Sequence, residues 1–199
     1  MMENKDKTIL HLCADIGSDS KPYRDAGYNV ICVGSDIGVE NYTPPQDVYG
    51  IIANPPCTHF SIARTNAKTP RDLREGMRLV KECLRIIWEC NYNLKEPSRT
   101  MPLKFWCIEN PASGFLKWFL GKPTFSYSPH EFGGEFTKQT ALWGNFNIPQ
   151  RPFWINQLPA NRSVSDVITP MKVRNKYERM NLRSQCDTRF AQAFYEANP

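Results

Sequence analysis

The chain has no Cys-x-x-Cys pair, and its three histidines, His11, His59 and His130, stand alone. Zinc-ligand spacing is missing, so no metal is expected. No apolar run approaches the ~20 residues of a membrane span. The first residues, Met1–Lys7, are polar and charged, unlike a signal peptide. Neither an internal repeat nor a low-complexity tract is present. These absences turn the reading toward one cytoplasmic globular domain over residues 1–199, without a membrane partner. Hydrophobic residues make up 41% and aromatics 12%, enough for a sizeable core. The net charge of +5 leans toward a polyanionic partner. Seven cysteines are present, several inside apolar runs, which fits buried thiols in a reducing compartment.

The chain is organised around Ile51-Ile52-Ala53-Asn54-Pro55-Pro56-Cys57-Thr58-His59-Phe60-Ser61. The apolar entry Val48–Ala53 reads as a buried strand. Two prolines stop it, because proline continues neither a ladder nor a helix interior. A rigid turn at the carboxyl end of a parallel strand is where open α/β sheets bind ligands. Taken alone, a cysteine behind a strand is a buried structural thiol. Here its neighbours favour a chemical role.

Upstream, Thr8–Cys13 reads as a first strand, Ala14–Ser20 as a loop and Lys21–Ala26 as a helix capped by Gly27. Tyr28–Val33 reads as a second strand, and Gly34-Ser35-Asp36 closes it. Strand, small-residue loop, helix, strand and acid is the order of a nucleotide-binding βαβ unit, with the acid about 20 residues beyond the loop glycine. Gly17 and Asp36 keep that spacing. The other reading is a Ser/Asp-rich turn and a solvated acid.

Downstream, Arg64–Thr69 reads as a basic loop over the pocket. Pro70–Asn91 reads as a helix whose core face carries Leu73, Met77, Val80, Leu84, Ile87 and Trp88, with Cys83 and Cys90 as core thiols. After a loop at Lys95–Pro102, Leu103–Ile108 reads as a strand ending in Glu109-Asn110-Pro111. A glutamate at a strand end is usually a surface acid or a helix-start charge. Two such sites on neighbouring strands would face one crevice. Phe115–Leu120 reads as a helical piece whose Phe115, Trp118 and Phe119 suit the core better than a stacking platform. Thr140–Asn145 is the clearest later strand, and Thr188–Ala197 a closing helix with Phe190, Ala193 and Phe194 inward. The basic run Met171–Arg189 carries Lys172, Arg174, Lys176, Arg179, Arg183 and Arg189, either a solvated face or phosphate contacts.

Pro55-Pro56-Cys57-Thr58-His59-Phe60-Ser61 resembles the PPCQ-x-FS loop of the DNA cytosine-5 methyltransferases, in a short form like those of phages and prophages. Glu109-Asn110-Pro111 resembles that family's ENV motif, and Cys13-Ala14-Asp15-Ile16-Gly17 its FAGIG loop. The closing segment Phe190–Ala197 resembles its last motif. The resemblance implies a Rossmann-like class I methyltransferase fold, with a mostly parallel sheet and helices on both faces. It implies Cys57 as a nucleophile on C6 of cytosine and Glu109 as the acid at the pyrimidine edge. Cys13, Ala14, Asp15, Ile16, Gly17, Asp36 and Asn54 would bind S-adenosylmethionine. Pro56, Phe60, Ser61, Asn110 and Pro111 would line the substrate site. The implied partner is DNA.

The chain departs from the family in three places. Cys13 stands where a stacking phenylalanine is expected, and Asp15 where the first loop glycine is. The Gln-x-Arg-x-Arg motif is not evident; Lys138-Gln139-Thr140 is the nearest stretch, and no arginine role transfers to it. Residues 144–170 leave no room for a sizeable target-recognition domain, so low specificity, a partner protein, or single-stranded or free nucleotide substrates come into view. Two other classes compete. One is a binding module that lost efficient cofactor binding. The other is an exocyclic amino-methyltransferase, suggested by Asn54-Pro55-Pro56, although Cys57 replaces the aromatic that loop needs.

Overall fold

A computed structural model describes residues 3–14, 16–64, 67–92, 103–153, 163, 175, 178 and 182–199. Six strands form one mixed, mostly parallel sheet. They are β1 (Thr8–Leu12), β2 (Asn29–Val33), β3 (Val48–Ala53), β4 (Phe105–Pro111), β5 (Phe125–Tyr127) and β6 (Thr140–Asn145). The spatial order is β2-β1-β3-β4-β6-β5. The first four run parallel; β6 is antiparallel to both β4 and β5. Helices among the described residues include α1 (Lys21–Asp25), α2 (Leu73–Tyr92), α3 (Lys117–Leu120) and α4 (Thr188–Ala197).

Alternation along the strands divides the core in two. Leu10, Leu12, Ile51, Ala53 and Ile108 face α2, where Val80, Cys83, Ile86, Ile87 and Cys90 meet them. Ile9, Ile52, Phe105 and Cys107 face the other way, against Tyr23 of α1 and Phe190 and Phe194 of α4. Helices therefore cover both faces. Asp187 starts α4 by accepting from the backbone N–H of Arg189 and Phe190.

The chain leaves β1 in one direction for β2 and crosses back in the other for β3. The order reverses between β1 and β3, and open α/β sheets bind ligands beyond the carboxyl ends of the strands at such a point. The loops after β1, β3 and β4 all emerge at that end. So does the entry to β6, because that strand runs the opposite way.

Several expectations need correction. The fourth strand does not end at Ile108. Antiparallel pairing with β6 carries it through Glu109, Asn110 and Pro111, each with a partner on β6. The core stripe of α2 is turned toward Cys83, Ile86 and Cys90, and Trp88 is 64% exposed. Trp118 and Phe119 are also exposed, at 67% and 46%, because α3 has only one turn and lies at the rim. None of the seven cysteines is in a disulfide. Among the described residues, no helix is long and apolar enough to cross a membrane, and no cluster of His, Cys, Asp and Glu could hold a metal.

Candidate active site

Cys57 sits in a tight turn: its carbonyl accepts from the N–H of both Phe60 and Ser61, at 2.9 and 2.8 Å. The turn is fixed from three sides. Asn110 Nδ2 donates to the Pro55 carbonyl at 2.9 Å, and Asn110 is wholly buried. Phe115 N–H donates to the Phe60 carbonyl at 3.0 Å. Arg71 donates to the His59 carbonyl at 3.2 Å, while His59 Nδ1 accepts from the Asp72 backbone at 2.9 Å. Phe60 is fully buried, so it anchors the turn and does not line a substrate surface. Pro56 and Cys57 are exposed, and Ser61 and Pro111 are half-buried.

Glu109 projects from the next strand. Ala53 pairs with Ile108, so Glu109 lies one residue past the end of β3, level with Asn54. The Asn54 amide joins several groups. Its nitrogen donates to Asp19 Oδ1 at 3.4 Å and also faces Glu109. Its oxygen therefore points to His11 Nε2, 2.7 Å away. A carbonyl oxygen only accepts, so His11 carries a proton on Nε2. The Nδ1 atom of His11 lies 2.8 Å from Ser20 Oγ. The loop after β1 is thus tied through buried His11 to the end of β3 and on toward Glu109.

Lys138 completes the group. It stands just before β6, and its Nζ is 4.0 Å from Glu109 Oε1. Burial raises the Glu109 carboxyl above its ordinary range; Lys138 opposes that rise and Asp19 adds to it. For Cys57, crowding by protein raises the thiol, the Glu109 charge raises it further, and Lys138 pulls it down. Lys138 in turn is raised by Glu109 and, more weakly, by Cys57. The three side chains feel one another's charge, which puts them in one electrostatic neighbourhood.

Glu109 and Lys138 line a narrow cavity with Asp19, Asn54, Thr140 and Cys186. Its volume is about 10 Å³, room for a single water at most. Cys57 is not in its wall and stands at the surface outside. A planar ring entering between Cys57 and Glu109 would have to widen this space. The 184–187 segment lines the cavity as well, with Cys186 N–H bonded to Ser18 Oγ at 3.0 Å.

The nucleoside half of the expected site lies beyond β1 and β2. Gly17 has a left-handed φ of 69°, and an added Cβ would come within 3.2 Å of Cys32 Sγ and Arg24 Nη2. Asp36 is exposed in the turn after β2 and has no ionic partner among the described residues. Ile16 and Ile37 are exposed too, at 40% and 54%. Ala14 is buried. Cys13 has φ 56°, uncommon for a residue with a side chain, and its sulfur lies 3.8 Å from Cys83 Sγ. That thiol is turned onto α2. Asp15, Lys172, Arg174, Lys176 and Arg179 lie outside the described residues, as does most of 144–170 beyond Phe153.

Sequence reasoning missed Asp19, His11 and Lys138. For Lys138 the signal was faint: a polar Lys-Gln before a strand. Only the antiparallel direction of β6 brings it beside Glu109. Comparison with known proteins found no family model that matches this chain and no matching curated relative.

Proposed function

We propose that the sheet is a Rossmann-like class I methyltransferase fold, and that the protein transfers a methyl group from S-adenosylmethionine to C5 of cytosine in DNA. The observation that carries this reading is that the Glu109–Lys138 pair, at the adjoining ends of β4 and β6, sits beside the loop after β3 that presents Cys57 and that Asn110 of β4 ties down. The residues fit the cofactor. Gly17 keeps the backbone open, exposed Asp36 offers a carboxylate to ribose hydroxyls, and Ile16 and Ile37 offer apolar surface to a base. When bound, S-adenosylmethionine supplies a methyl cation equivalent.

The protein's own part begins with Cys57. Its thiolate adds to C6 of the ring, forming a C–S bond and leaving C5 electron-rich. Glu109, held toward its neutral form by burial, donates a hydrogen bond to N3 and lowers the charge that builds on the ring. Lys138 favours the thiolate of Cys57 and stays cationic beside Glu109. After methylation the C5 proton leaves to a base, its electron pair restores the ring, and the C6–S bond breaks.

The test is methyl transfer from radiolabelled cofactor into a cytosine-bearing oligonucleotide, with product analysis. The wild type yields 5-methylcytosine. Cys57→Ser abolishes turnover with an unchanged circular dichroism spectrum, and Glu109→Gln lowers it by about a hundredfold, the lower end of general-acid contributions. A Cys57→Ser variant with normal turnover would remove the covalent route. The narrow cavity favours a second reading, a nucleic-acid-binding module without catalysis. Calorimetric titration separates the two: no heat with S-adenosylmethionine supports the module.

A further inference from the structure

The turn that carries Cys57 is bolted to an exposed aromatic column. Trp118 stacks on Phe115, with ring centres 4.5 Å apart and planes 13° from parallel. The Arg71 guanidinium lies 4.8 Å from the centre of the Phe115 ring. Phe115 and Arg71 are also the residues whose N–H groups hold the Phe60 and His59 carbonyls. The column and the turn therefore share these hydrogen bonds. Its outer member, Trp118, is 67% exposed and, unlike Trp88, stands in a stack that continues to the Cys57 turn.

The surroundings are cationic. Arg74 and Lys81 on α2, with Lys117 and Lys122 around α3, have no acidic partner among the described residues. Arg78 differs: Glu40 and Glu75 neutralise it. Between α2 and α3 runs an open groove of about 410 Å³, lined by Leu73, Met77 and Phe119, by the Arg78–Glu75 pair, and by Arg74 and Lys81. Flat aromatic surface interleaved with free cations is the chemistry of single-strand binding. A base inside a duplex has both faces covered by its neighbours, so it cannot extend a protein column. An unstacked base can.

We propose that Trp118 and Phe115 form a stacking platform for a base flanking the target, with Arg74, Lys81 and Lys117 tracking the phosphates, and that the substrate is single-stranded DNA. This deepens the proposed methyl transfer, since it names the form of nucleic acid that reaches Cys57.

The test uses the full chain and a fluorescein-labelled twelve-residue oligothymidylate, followed by anisotropy over a range of salt. This strand has no cytosine, so its binding needs neither cofactor nor Cys57. Failure of the methylation reading would leave the binding result standing, and the converse also holds. The wild type binds the single strand at least tenfold more tightly than a duplex of the same length. Trp118→Ala loses about tenfold or more on the single strand, within the range for removing one base stack. Trp88→Ala, an equally exposed tryptophan about 22 Å along α2 from Leu73, binds as wild type. Lys117→Gln lowers the slope of log affinity against log salt by about 0.7, one phosphate contact on a single strand. Equal affinity for strand and duplex would overturn the proposal, as would wild-type binding by Trp118→Ala. An oligouridylate bound as tightly as the DNA strand would overturn the DNA assignment.

Discussion

At the scale of single residues, the site sets two proton affinities against each other. Cys57 and Glu109 are both raised, so at neutral pH the free protein holds Cys57 chiefly as thiol. The route needs the Cys57 thiolate and the protonated Glu109 carboxyl together, so kcat/KM should follow a bell, falling at both the acid and the alkaline end. Lys138 restrains both shifts. In Lys138→Met, Cys57 and Glu109 should each titrate at higher pH, and both limbs of the kcat/KM profile should move to higher pH. Iodoacetamide gives an independent reading. Cys32 is lowered, chiefly by a hydrogen bond with His11 and with help from Arg24, whose Nη2 lies 3.3 Å from its sulfur. Peptide mapping after brief alkylation near neutral pH should therefore find Cys32 labelled ahead of Cys57. Preferential labelling of Cys57 would mean that the site lowers its thiol without substrate.

At the scale of elements, β3, β6 and α4 were legible because short apolar runs sit between strong punctuation. Pro44-Pro45 and Pro55-Pro56 bracket β3, and Asp187 caps α4. Rim residues were harder to place. On α2 the apolar stripe is broad, and Trp88 lies about 80° around the helix from Val80, on the side away from Cys83 and Cys90. Spacing alone could not choose between the two edges of that stripe. Around α3 the aromatic density resembles a core segment, but a single turn at the rim of the sheet cannot bury three large rings. The extension of β4 through Pro111 depends on β6, which is distant in sequence, so local pattern could not show it. Packing between β3 and β4 carries its own prediction. A Cβ at Gly50 would fall 2.4 Å from the buried Phe105 ring, which stacks on Tyr23 and meets Phe194 edge-on. Gly50→Ala should lower stability by about 1–3 kcal/mol or more in urea unfolding, the cost of overpacking. A neutral substitution would mean that Phe105 can move aside.

At the scale of the whole molecule, the site depends on closure of the sheet's second face by the last residues. Tyr23 Oη donates to the Asn198 carbonyl at 2.8 Å and Tyr49 Oη to the Pro199 carbonyl at 2.6 Å. Asn198 also exchanges bonds with Asn147 across the end of β6. Phe190 and Phe194 cover Ile9, Ile52 and Phe105. Deleting Thr188–Pro199 should therefore remove cooperative thermal unfolding altogether, and a sharp transition in the shortened chain would show that the two faces of the core are independent. The same closure brings Cys186 against the loop after β1, so fold and site share one set of contacts.

The most direct test of the central claim uses an oligonucleotide bearing 5-fluorocytosine, incubated with the protein and S-adenosylmethionine. Fluorine cannot leave C5 as a proton does, so the ring should stay bonded to sulfur. Mass spectrometry should find the oligonucleotide on the peptide containing Cys57, and none in Cys57→Ser. An adduct on another cysteine, or no adduct while 5-methylcytosine still forms from ordinary cytosine, would contradict the account.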